Sequence, residues 1–248
     1  FVTSMVDALG EALSRGSRLP IEDKLMIHKH HQFQANVKLM NDLVDRIIQE
    51  RRTSGEDLSQ KKDLLSYMLT GVDKQSGEQL DDTNIRYQII TFLIAGHETT
   101  SGLLSFTIYQ LLHHHAILQK AYEEVDRVLG ADLSAKPTFN QVNQLHYVTQ
   151  ILKESLRLWP TAPAFALYPR EGEAIIGGKY KITADDDVAV LIPMLHRDRE
   201  IWGDNAEEFD PDRLTVEKEQ QLPPNAYKPF GNGHRACIGR QFALQEAT

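Results

Sequence analysis

The chain has 248 residues, with 27 Lys and Arg against 35 Asp and Glu, and its net charge of -8 argues against a nucleic-acid partner, which needs an excess of cations. Apolar residues at 41% and charged residues at 25% are ordinary for a globular protein long enough for one large domain or two small ones. A single cysteine excludes an internal disulfide and fits a reducing, cytoplasmic setting; no apolar run reaches the roughly 18 residues of a membrane span, and no charged-then-apolar leader opens the chain.

Residues 1–15 read as a helix, with Val2, Met5, Val6, Leu9 and Leu13 near a 3.6-residue period. Residues 16–20 break it. A second long helix is predicted over 22–52, carrying Val37, Met40, Val44, Ile47 and Ile48 on one stripe. A short helix follows at 64–69 and a polar turn at 71–77. Asp81-Asp82-Thr83 is a helix start, because these side chains accept from free backbone N–H groups. The helix behind it, 84–115, is roughly 45 Å long at its usual rise. It is apolar on most sides from 89 to 104 and is expected to lie inside the domain. Helices at 116–129, 139–144 and 147–158 complete the first part.

The texture changes at Pro160. Residues 174–183 and 187–193 read as strands around a Gly177-Gly178 turn, and Pro169, Gly172, Pro193, Gly203 and Pro211 punctuate a loop-rich stretch. The chain opens on Phe1 without a methionine and closes on 241–248, a helix-forming run without a stop signal, so both ends read as cuts. The expectation is one mainly α domain with a small β part near its C-terminal end.

The chemistry concentrates in Phe230-Gly231-Asn232-Gly233-His234-Arg235-Ala236-Cys237-Ile238-Gly239. A glycine-rich loop leads to the lone cysteine, with a helix expected to begin at about that residue. Glycines permit tight turns and a close approach to a flat ligand. A helix start favours thiolate over thiol. Arg235 can pair with a ligand carboxylate, and Phe230 can pack on the sulfur side of a macrocycle. An isolated cysteine is most often buried and inert. One thiolate cannot build a structural zinc site or an iron–sulfur cluster, however, whereas one thiolate on an iron held by another scaffold is haem ligation.

Phe230-x-x-Gly233-x-x-x-Cys237-x-Gly239 resembles the haem-binding signature of the cytochromes P450. Further matches stand in the expected order. Ala95-Gly96-His97-Glu98-Thr99-Thr100 interrupts the apolar long helix with groups that are unfavourable there. Gly96 lets another body approach, and Thr99 can bond to the carbonyl of Ala95 and loosen the helix. Glu98 and Thr99 resemble the family's acid–alcohol pair, which delivers protons to bound dioxygen. Helix packing and ordinary threonine back-bonding are the plain alternatives. A zinc-protease reading of His97-Glu98 fails, because position 101 is Ser rather than His. Glu154-x-x-Arg157 is either a surface ion pair or, with Arg213, the family's buried network that steadies the haem loop. His28, His30, His31 and His113 to His115 fall on polar helix ends and read as solvated.

The resemblance covers nearly the whole chain and is closest to the haem domains of self-sufficient fatty-acid hydroxylases, over 89–106, 156–165 and 228–233. It implies a P450 fold incomplete at both ends, with 1–248 a C-terminal portion of the haem domain lacking its first part and the end of its last helix. It implies haem b ligated by Cys237. Phe92, Ala95, Gly96, Thr99 and Thr100 would face that haem from the long helix, and Thr161 and Phe165 from the segment after 158. Pro229, Phe230, Gly231, Arg235, Ala236, Ile238, Gly239 and Ala243 would hold it from the cysteine side, and Ala95, Ala162 and Ala164 would face substrate. The implied reaction is O2-dependent hydroxylation of medium- to long-chain fatty acids. Electrons would come from NADPH through the FAD and FMN of a reductase, fused in the parent. The alternatives are a non-catalytic haem-thiolate sensor or an inactive apo fragment; alone, the fragment is expected to be inactive.

Overall fold

The computed structural model describes residues 1–130, 132, 134–169 and 172–248, with Pro20 described in its backbone alone. The chain forms two compact units, Phe1–Ala95 and Gly96–Thr248.

In the first unit, α1 (Val2–Arg15) packs on α3 (Ile27–Thr53) through Met5, Ala8 and Met40. Val44 and Ile48 of α3 meet Leu69 of α4 (Leu64–Thr70) and Ile85 of α5 (Asp82–His113). The predicted helix over 22–52 is two helices. Pro20 begins the short α2 (Pro20–Leu25) instead of ending a break, as its missing N–H allows in a first turn. Met26, at φ -86° and ψ 46°, separates α2 from α3. Asp81 accepts from the Asn84 N–H at 2.7 Å, so the Asp-Asp-Thr start signal works, with helix from Asp82.

In the second unit, α5 ends two residues earlier than predicted. His114, at φ -127° and ψ 70°, divides it from α6 (His115–Leu129), and its ring lies 5.3 Å from that of Phe209. Next come α7 (Phe139–Val142), shorter than the predicted 139–144, and α8 (His146–Leu158). No side chain of its own flank caps α8. Glu124 of α6 does so, accepting from Tyr147 N–H and Val148 N–H at 3.0 Å each.

Among the described residues, the named strands form two separate two-stranded antiparallel sheets. The strand segment predicted over 174–183 around the Gly177-Gly178 turn is a hairpin of β2 (Glu173–Ile176) and β3 (Tyr180–Thr183), with Gly177 and Gly178 at φ +59° and +66°, the left-handed pair a tight hairpin needs. The second predicted strand is shorter, β4 (Val188–Leu191), because Ile192-Pro193 starts α9 (Ile192–Leu195). Its partner β1 (Ala164–Leu167) was not foreseen; Ala164 pairs with Leu191 and Leu167 with Val188. Short helices α10 (Arg199–Trp202) and α11 (Val216–Gln221) precede α12 (Arg240–Ala247).

The expectation that α5 is buried on most sides is not met. Within the second unit its buried residues are Thr100, Leu103, Thr107 and Gln110, a single stripe at helical spacing. Phe106, Ile108 and Tyr109 are exposed. An all-round apolar helix needs cover on every side, and the described residues of this unit cover one. No helix among the described residues is long and apolar enough to cross a membrane.

Candidate functional site

Cys237 sits at the end of a loop bent by two left-handed glycines, Gly231 at φ +70° and Gly233 at φ +66°. A short 3₁₀ turn covers Gly233–Arg235. The Cys237 N–H donates to the Phe230 carbonyl at 2.9 Å, and the Gly231 N–H to the Lys228 carbonyl at 3.2 Å. The predicted helix start at the cysteine is three residues early: α12 begins at Arg240, with Gly239 before it. Residues 237–239 instead make the turn that leads into α12. A Cβ added to Gly239 would stand 3.9 Å from the sulfur, so the helix start lies close to Sγ although the cysteine is outside it. The thiol is exposed.

The loop is anchored from behind. Phe230 packs on Leu103 of α5 and Leu152 and Leu156 of α8, with Leu244 and Ala247 of α12 in the same cluster. The Arg240 guanidinium lies 5.7 Å over the Phe230 ring. One apolar cluster therefore joins the long helix, the Glu-x-x-Arg helix and both flanks of the cysteine.

Glu154 and Arg157 are both 0% exposed, so their pair is not on the surface. Arg157 Nε and Nη2 donate to the two Glu154 oxygens at 2.7 and 2.8 Å. Its Nη1 reaches the carbonyls of His196 and Ala206 at 2.8 and 2.6 Å, and Nη2 that of Glu208 at 3.0 Å. Burial pushes the Glu154 carboxyl up, against the pull of Arg157 and of the Asp210 N–H. Arg213 donates to the carbonyls of Trp202 and Asn205 at 2.9 and 2.5 Å, with its Nε 3.7 Å from Glu154. That Nε has no hydrogen-bond partner among the described residues, so the second arginine contributes charge to Glu154 more than a bond.

On α5, Thr100 is buried, while Gly96, Glu98 and Thr99 are exposed. A Cβ at Gly96 would meet nothing within 4 Å among the described residues. Gly102 is tight, its added Cβ falling 3.1 Å from Thr161 Cγ2. Thr161, which that Cβ would meet, and Phe165 are half-buried, whereas Ala162 and Ala164 are exposed. Pro229, Gly231, Gly239 and Ala243 are half-buried; Arg235, Ala236 and Ile238 are exposed. Phe92 and Ala95 belong to the first unit, half-buried and exposed respectively. Of the histidines in the two runs, His28, His31, His113 and His115 are exposed, and His30 Nε2 lies 3.3 Å from Asp23.

The sequence reading missed His196. It is fully buried, stacked on Tyr227 at 5.2 Å and edge-on to Trp202 at 6.2 Å. Its Nε2 accepts the Lys228 N–H at 2.9 Å, and Nδ1 lies 3.1 Å from the Arg157 carbonyl. A backbone N–H can only donate and a carbonyl only accept, so the ring is neutral with its proton on Nδ1. Burial, helped by the Arg157 guanidinium, holds its pKa down at about 4. A lone histidine between loop residues carries no periodic or spacing signal that marks it.

Residues 6–248 match the family model described as Cytochrome P450. The chain is 59% identical over its full length to a bifunctional cytochrome P450/NADPH–P450 reductase of Bacillus subtilis and 59% identical to one of Bacillus cereus. A self-sufficient cytochrome P450 monooxygenase of Aspergillus niger is 46% identical, again over the whole chain. In each case the chain spans 23% of the relative's length.

Proposed function

We infer the function of this chain from its membership: it belongs to the cytochrome P450 family. Members hold a haem, and the residues here fit one. A thiolate ligand must be open to its metal, and Cys237 is exposed. Gly231 and Gly233 supply the left-handed backbone that the loop needs, and at Gly239 an added Cβ would stand against the sulfur at 3.9 Å. Ile238 and Phe242, at 86% and 69% exposure, offer apolar surface in the same turn and helix, as a flat hydrophobic ligand requires.

The chain is then the iron-binding portion of a haem-thiolate monooxygenase that hydroxylates medium- to long-chain fatty acids. NADPH supplies electrons through the FAD and FMN of a reductase; the fatty-acid assignment is supported by the likeness over 89–106, 156–165 and 228–233. The reductase is supported by the relatives named as P450–reductase fusions. The haem, when bound, supplies dioxygen binding and its reductive activation. Cys237, beside a helix start that favours its thiolate, would hold the iron. Glu98 and Thr99, adjacent on the exposed side of α5, hold and pass protons at their carboxylate and hydroxyl oxygens. Phe230 and Arg235 would flank the group, and Ala162 and Ala164 would face substrate. The lone cysteine, which leaves no internal disulfide, supports a cytoplasmic location.

The observation that carries this reading is an exposed sole cysteine at the end of a glycine-bent loop. Adding haemin to the chain and recording the reduced CO spectrum tests it. The expected result is a thiolate-type band that Cys237→Ala removes. A band retained in that variant assigns the ligand elsewhere and ends the proposal.

A further inference from the structure

We propose that His196 is a positioning residue for Cys237: its neutral ring ties the backbone at the entry of the cysteine loop to the Glu154–Arg157 network. The proposal rests on the reading of Cys237 as a haem ligand. His196 meets that network twice, since its carbonyl accepts Arg157 Nη1 at 2.8 Å and its Nδ1–H donates to the Arg157 carbonyl at 3.1 Å. On its other side, Nε2 accepts the Lys228 N–H at 2.9 Å.

Two hydrogen bonds then lead to the ligand. The Lys228 carbonyl accepts the Gly231 N–H at 3.2 Å, and the Phe230 carbonyl accepts the Cys237 N–H at 2.9 Å. Pro229 lies between, with its φ restricted by its ring and no N–H to offer. Fixing the Lys228 peptide therefore fixes where this stiff segment starts and where the cysteine peptide is hung. The ring is clamped in turn between Tyr227 and Trp202, and the Tyr227 hydroxyl donates to the Lys153 carbonyl at 2.8 Å.

The chemistry selects this side chain. The site demands one acceptor and one donor on opposite ends of an uncharged, flat group. Histidine meets that demand only in its Nδ1–H form, and burial, together with the guanidiniums of Arg157 and Arg197, disfavours a second proton. Glutamine offers the same pair of functions from its amide. Phenylalanine keeps the ring and its stacking but offers neither.

The test uses the full chain, loaded with haemin and without it. In the apo chain, amide exchange at Lys228 should rise by about tenfold or more in His196→Phe and stay near wild type in His196→Gln. In the loaded chain, His196→Phe should shift the reduced CO spectrum from the thiolate-type band toward a form without thiolate, and His196→Gln should restore it. Wild-type Lys228 exchange and a wild-type spectrum in His196→Phe would overturn the proposal. Should that variant fail to fold, the wild-type ring decides: nitrogen NMR must find the proton on Nδ1 and a coupling from the Lys228 N–H to Nε2. A proton on Nε2 would overturn it. If wild type gives no thiolate band at all, the haem reading fails, while the exchange and NMR results still judge the tether.

Discussion

Acidification should weaken this protein through His196, and the amount follows from its burial. The folded ring takes up a proton only near pH 4, whereas a free histidine does so near 6.5. The unfolded chain therefore binds the proton first. Above 6.5 the group contributes nothing to the pH dependence; as pH falls from 6.5 toward 4, stability is lost. The gap is worth about 3 kcal/mol when fully expressed, and about 2 kcal/mol at pH 5. At that size, the melting temperature should drop by about 4–8 °C between pH 7.5 and pH 5 from this residue alone. Both tryptophans, Trp159 and Trp202, lie in the second unit, so their fluorescence follows the melting of the part that holds His196. His196→Gln keeps an acceptor for Lys228 and a donor for Arg157 but cannot titrate. The difference between wild type and variant removes the carboxylates common to both. If the two proteins lose stability in parallel from pH 7.5 to 5, the ring is not the buried neutral group described above.

Arg157→Met should cost about 3–5 kcal/mol, since it leaves the buried Glu154 carboxylate and three carbonyls without their donor; an unfolding free energy from urea titration within about 1 kcal/mol of wild type would contradict the network. Gly102→Val should cost about 1–3 kcal/mol by pressing on Thr161, where the added Cβ has only 3.1 Å to the methyl; thermal melting measures it, and a stabilised variant would mean that the segment yields freely. Thr99→Ala, placed in a complete oxygenase–reductase carrying this sequence, should divert electrons from product to peroxide; an unchanged ratio of product to NADPH consumed would take Thr99 out of proton delivery.

Local features of the chain carried most of the fold class and the family pattern around its cysteine. The Phe-to-Gly pattern around Cys237 is contiguous, and so is the acid–alcohol pair at Glu98-Thr99. Helices announced by amphipathic spacing, such as α1 and α8, lie within a residue or two of where they were expected. Boundaries failed where a single residue interrupts a pattern without changing its composition. Met26 and His114 divide helices, yet neither is a glycine or a proline.

What the sequence determined by itself was therefore what depends on neighbours along the chain: the sole thiol, the glycines that bend its loop, the Gly177-Gly178 hairpin turn, and the helix start at Asp81. Tertiary structure alone decided everything that depends on a distant partner. β1 becomes a strand because β4 lies beside it. Glu124 caps a helix other than its own. The Glu154–Arg157 pair leaves the surface because carbonyls from 196, 206 and 208 close over it. The four-residue run of β1 and the lone His196 hold no periodicity, and a hydrogen bond across 32 residues leaves no mark in the order of side chains. Folding assigns such roles because a buried donor or acceptor must find its complement wherever the packed chain brings one.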